Sequence, residues 1–70
     1  MIISARMQAS IAMTDDESAD CHGLFDKDEY THIPYLHGEW RIISISRSFS
    51  GDKVKPWIVD LDLWAKSLEL

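Results

Sequence analysis

Cys21 is the only cysteine in the chain, and that narrows what 70 residues can fold into more than any other feature. No internal disulfide can form, so the fold must be held by its own apolar core. Domains of this size bury only about 60% of the surface that the unfolded chain exposes. The balance of burial against conformational entropy is thin at such lengths, and a metal, a partner or self-association often completes it. An unpaired cysteine fits a reducing compartment better than a disulfide-framed secreted module. The run from Met1 to Gln8 is broken by Ser4 and Arg6, unlike a signal peptide, and no stretch approaches the roughly 18 apolar residues of a membrane span. The expectation is one cytoplasmic domain over residues 1–70, with no membrane partner.

Alternation is the clearest pattern. Ile3, Ala5, Met7, Ala9, Ile11 and Met13 alternate with Ser4, Arg6, Gln8 and Ser10, which puts one apolar and one polar face on a strand, although Ala, Met and Gln individually favour helix. Thr14-Asp15-Asp16-Glu17 then reads as a capping box. Either a short acidic helix closed near Gly23, or a solvated acidic loop running to about Thr31, follows from the composition. Glu39 to Phe49 is rich in β-branched and aromatic residues and reads as a strand. Ser50-Gly51-Asp52-Lys53 supplies a turn, and Val54 to about Asp60 returns as a second strand, with Pro56 placing it at a sheet edge or bulge. In the tail, Asp60 resembles an N-cap, and Leu61, Trp64, Ala65 and Leu68 recur at helical spacing. A short amphipathic helix from about Leu61 to Glu69 is therefore expected. The composite is an α+β fold: a small three-stranded antiparallel sheet with a C-terminal helix on one face and an acidic helix or loop after the first strand.

Several constellations invite chemistry, and each has a plainer account. Cys21, His22, His32 and His37 are zinc-ligand types, but adjacent Cys21 and His22 point apart and no second thiolate exists. Ser18 to Glu29 partly matches a calcium loop, with Gly23 at its sixth position, yet the initial aspartate is missing and Pro34 follows too soon for the second helix. Nothing sets a nucleophile beside a histidine and an acid, and Gly23, Gly38 and Gly51 stand too far apart for a phosphate loop. The chain is read as no enzyme, with no metal and no cofactor.

Charge is more informative. Residues 1–40 hold eight acids against Arg6 and Lys27, a balance of −6, while residues 41–70 hold five bases against four acids, +1, which together make the net −5. Three tryptophans in so short a chain suit either a core or an interface. The leading expectation is an accessory or inhibitor protein that docks on a basic surface of a protein partner. Its docking residues would be Asp15, Asp16, Glu17, Asp20, Asp26, Asp28 and Glu29, with Tyr35, Trp40 and Arg41 as an aromatic patch. Nucleic-acid mimicry of the antitoxin or phage anti-defence type is one version. A second reading is a nucleic-acid-binding hairpin carrying Arg41, Arg47, Lys53, Lys55, Phe49 and Trp57, with a serine stripe from Ser44 to Ser50; the acidic first half disfavours it. A third is a homodimer, through pairing of the two oppositely charged halves or an exposed strand bearing Ile42, Ile43 and Ile45.

Overall fold

The computed structural model describes residues 5–65 in full, together with the backbone of Ile2–Ile3 and Leu68–Glu69. In chain order the elements are β1 (Ile2–Ile3), β2 (Arg6–Met13), α1 (Asp15–Lys27), β3 (Trp40–Phe49), β4 (Trp57–Ala65) and β5 (Leu68–Glu69). The last strand of the main sheet is its centre. β4 pairs antiparallel with β2 on one side and with β3 on the other, in the order β2-β4-β3. β2 and β3 therefore run parallel without touching, joined by α1, and β4 is inserted between them as in a split β-α-β unit. β1 and β5 form a short two-stranded antiparallel pair.

The expected C-terminal helix is absent, and this corrects the fold read from sequence. Trp57 to Ala65 is one continuous strand. Trp57, Val59, Leu61 and Leu63 all point to the same face, and the last three are buried. A helix from Leu61 would have separated Leu61 from Leu63 and sacrificed ladder bonds to both neighbours. Pairing on two sides outweighs the weak local preference of Leu, Ala and Trp for helix. The return strand correspondingly begins at Trp57, three residues later than Val54, and lies at the centre of the sheet. Pro56 stands just outside the ladder, where its missing N–H costs nothing. The connection is a longer loop than the four-residue turn expected. Ser50 N–H donates to the Pro56 carbonyl at 2.7 Å, and Asp52 Oδ1 accepts from Val54 and Lys55 N–H at 2.9 and 2.8 Å.

β3 contains a bulge between Ile42 and Ser44. Strict alternation would send Ile42 and Ile45 to opposite faces. The extra residue, Ile43, brings both onto the core side. α1 packs across that side, and Met13, Cys21, Ile33, Ile42, Val59, Leu61 and Leu63 form the buried cluster.

The acidic segment is a helix. Thr14 Oγ accepts from Glu17 N–H at 3.2 Å while the Glu17 carboxylate accepts from Thr14 N–H at 2.9 Å, a complete capping box. Gly23 does not end it. The helix continues for another turn because Leu24 packs against the core, which offsets the roughly 1 kcal/mol cost of an internal glycine. It ends where Asp28 takes the left-handed conformation, φ 53°, a role that short polar side chains tolerate. A continuous helix over these residues also rules out the calcium-loop register.

A candidate docking surface on the helix

The carboxylates of α1 divide into two groups according to which side of the helix carries them. Asp15 accepts a hydrogen bond from Trp57 Nε1. Glu17 is held by the cap, and the Thr14 N–H and then the Tyr35 hydroxyl keep its carboxyl below the usual range. Asp28 caps the other end and lies 3.8 Å from Arg41 Nε. These three serve the fold. Asp16, Asp20 and Asp26 lie on the face opposite buried Ser18 and Cys21, with Glu29 just beyond the helix end, and all four are exposed. None of the four forms an ion pair among the described residues.

Beside that face, α1 and the segment His32–Pro34 border an open cleft of about 380 Å³. Its helix wall is Ala19, Gly23 and Leu24, with Asp20 and Lys27 on the same side. No atom lies within 4 Å of where a Gly23 Cβ would stand, so the wall is low there. An aliphatic stem can lie along these small side chains while its cationic head meets Asp16 or Asp20.

The aromatic part of the expected patch is dispersed. Tyr35 is 57% exposed near the first turn of α1, where Lys55 Nζ donates to its hydroxyl at 3.0 Å. Its φ of 67° places it third in a turn closed by Leu36 N–H to Ile33 O, a position that favours glycine. Trp40 and Arg41 are at the opposite end. Trp40 is half-buried against the core and its Nε1 donates to the His37 carbonyl at 2.7 Å. Arg41 lies over the Tyr30 ring, 5.7 Å from its centroid.

No family model, curated protein or solved structure matches this chain. The reading of its surface therefore rests on geometry and charge alone.

The cations of the proposed nucleic-acid hairpin are mostly engaged inside the fold. Arg47 stacks 4.0 Å from the Trp57 centroid and donates to the buried Ser18 hydroxyl at 3.0 Å. Lys55 lies over Tyr35, whose hydroxyl holds its ammonium above the usual lysine range. Lys53 is exposed in the loop, and Lys66 is outside the described residues. Phe49 packs edge-on against Trp57. The zinc-ligand types are likewise not gathered: His22 Nδ1 lies 3.0 Å from the Ser18 carbonyl, and Cys21 faces Met13 Sδ at 3.6 Å. Among the described residues no three His, Cys, Asp or Glu side chains are grouped to hold a metal. Burial, and then Asp20 and Glu17 nearby, push the Cys21 thiol up to about 11.

Sequence reasoning finds the polar faces of β2 and β3 separately but misses that Asp60 and Asp62 join them on the uncovered face of the sheet. There Gln8 and Ser44 flank Asp62, and Ser10 and Ser46 flank Asp60, lining a shallow open trough. Arg6 pairs with Asp62 and lies 6.0 Å from the Trp64 centroid. The alternation of Asp60 and Asp62 with buried Leu61 and Leu63 carries this signal, which the helical reading of the tail obscures. No helix of the described residues is long and apolar enough to cross a membrane.

Proposed function

We propose that this chain is a protein-binding accessory or inhibitor that docks the outer face of α1 on a basic surface of a protein partner. One observation carries the reading: Asp16, Asp20 and Asp26 share one exposed helix face, and none of the three forms an ion pair among the described residues, although Lys27 lies on the same side. Like charges at i and i+4, as at Asp16 and Asp20, cost a helix a few tenths of a kcal/mol. Asp16 recovers that cost at the positive end of α1, whereas Asp20 and Asp26 lie beyond the first turn and gain nothing there. The docking set contracts to Asp16, Asp20, Asp26 and Glu29, because Asp15, Glu17 and Asp28 are occupied within the fold. The neighbouring cleft gives lysine or arginine stems an apolar rest.

The test is affinity capture from a lysate on the immobilised chain, compared with a variant carrying D16N, D20N, D26N and E29Q, with captured proteins identified by mass spectrometry and eluted by a salt gradient. A basic protein retained by the native chain, lost by the variant and released early in the gradient supports docking, since exposed charges are screened within about 8–10 Å at ordinary ionic strength. Equal retention by both chains, or elution insensitive to salt, refutes it.

A further inference from the structure

The outer edge of β2 is an unguarded pairing surface, and we propose that it joins a second copy of this chain in an antiparallel, two-fold symmetric sheet. The Ala65 N–H donates to the Ala5 carbonyl at 2.7 Å. In an antiparallel ladder this fixes which residues face the neighbour, so odd-numbered residues of β2 bond to β4. Arg6, Gln8, Ser10 and Ala12 therefore turn their backbone N–H and C=O groups away from it, and β2 has no other partner strand among the described residues. All four are exposed.

Edge strands are ordinarily blunted by lysine, proline, a bulge or a covering segment. β3 has two of these devices, the bulge at Ile43 and the bridge of Thr31 to Trp40 that covers its start. β2 has none. Its one charged residue, Arg6, is already engaged by Asp62. The proposal thus places the pairing edge on β2, where the sequence had suggested the strand bearing Ile42, Ile43 and Ile45.

Symmetry selects the register. With the two-fold axis at Ala9, Arg6 faces Ala12 of the second copy, Met7 faces Ile11, Gln8 faces Ser10 and Ala9 faces Ala9. Every outward-facing residue is then bonded, no like charges meet, and apolar side chains meet on the core side. A shift by one pairing step in either direction leaves an outward-facing residue at each end unpaired. The strand is rich in Met, Gln and Ala, poor strand formers, and gains from a second neighbour.

Sedimentation equilibrium of the full chain from micromolar to millimolar concentration reads the association. The mass rises from 8.1 kDa toward about twice that value. Both copies are net negative, so salt strengthens the dimer, opposite to its effect on docking through α1. Ser10→Pro removes an outward N–H without breaking the bond to β4, and abolishes the mass increase while circular dichroism stays native. Gln8→Lys, placed near the axis, weakens it without touching the backbone. Under mild oxidation Ala9→Cys cross-links, because residues facing each other in a non-hydrogen-bonded pair are about 4.5 Å apart at Cα, within disulfide range. Met7→Cys does not. A mass that stays at 8.1 kDa throughout, a dimer indifferent to both edge variants, or equal cross-linking by both cysteine variants overturns the proposal.

Discussion

Leu63 and Trp64 are neighbours in sequence whose energetic roles distinguish a strand from a helix. Leu63 has no exposed surface and lies in the central strand between Met7 and Ile42. Leu63→Ala deletes three carbons, about 2.4 kcal/mol at about 0.8 kcal/mol per buried methylene. The cavity left behind brings the expected loss to roughly 3 kcal/mol, within the range of about 2.7–5 kcal/mol seen for buried leucines. A domain of this length has a total stability of roughly 3.5–10 kcal/mol at ~0.05–0.15 kcal/mol per residue. The substitution thus removes a third or more of it. Trp64 points to the uncovered face beside Arg6, and Trp64→Ala there costs about 1 kcal/mol, the scale of an exposed cation–π contact and partial packing. Urea titration followed by circular dichroism measures both. With a slope near ~1 kcal/mol/M, Leu63→Ala lowers the midpoint by about 3 M or leaves the chain unfolded in buffer, and Trp64→Ala shifts it by about 1 M. A larger loss for Trp64→Ala than for Leu63→Ala refutes the reasoning, because that order belongs to a helix whose buried side carries Leu61, Trp64 and Leu68.

Thr14→Ala removes the cap of α1 and costs about 1 kcal/mol, a fall in Tm of roughly 4–8 °C by calorimetry; no change would mean that the cap does not stabilise the helix. Thr14 N–H lowers the Glu17 carboxyl, the Lys55 and Val54 N–H groups lower Asp52, and Arg6 lowers Asp62. Depressed carboxyls stabilise above their ordinary range of about pH 4 and lose that contribution as pH falls through the folded values. Lys55, raised chiefly by the Tyr35 hydroxyl, contributes below the ordinary lysine range and loses that contribution as pH climbs through its raised value. Stability should therefore fall on acidification below about pH 4, and Glu17→Gln with Asp62→Asn should flatten that slope in pH-dependent denaturant titrations. An unchanged slope would detach these residues from acid unfolding. The Cys21 thiol, buried and raised to about 11, should react with a disulfide reagent only at the rate of unfolding, and fast reaction of the native chain would contradict its burial.

The legible parts of this fold were those decided by residues close in sequence. Thr14 and Glu17 are three residues apart, and both bonds of their cap form within one helical turn, so the start of α1 could be read directly. Alternation marked β2, and β-branched and aromatic composition marked β3, for the same reason, since both signals lie within the strand itself. The proposed docking set was half legible. The acids could be counted, but which were already taken depended on Trp57, Tyr35 and Arg41 arriving from distant positions.

Residues 57–65 show where local reading ends. Their spacing fits strand and helix alike, and Asp60 is as good a helix cap as it is an outward strand residue. Only the ladders to β2 and β3, formed by segments up to 58 residues away in sequence, as Arg6 is from Trp64, select the strand. The bulge at Ile43 was decided the same way, by the need to place Ile42 and Ile45 in one core. What the chain determined alone were the N-terminal cap of α1 and the amphipathic faces of its strands. Which face meets which, which strand is central, and which charges stay exposed were set by long-range pairing and burial, because those energies exist only when distant segments meet.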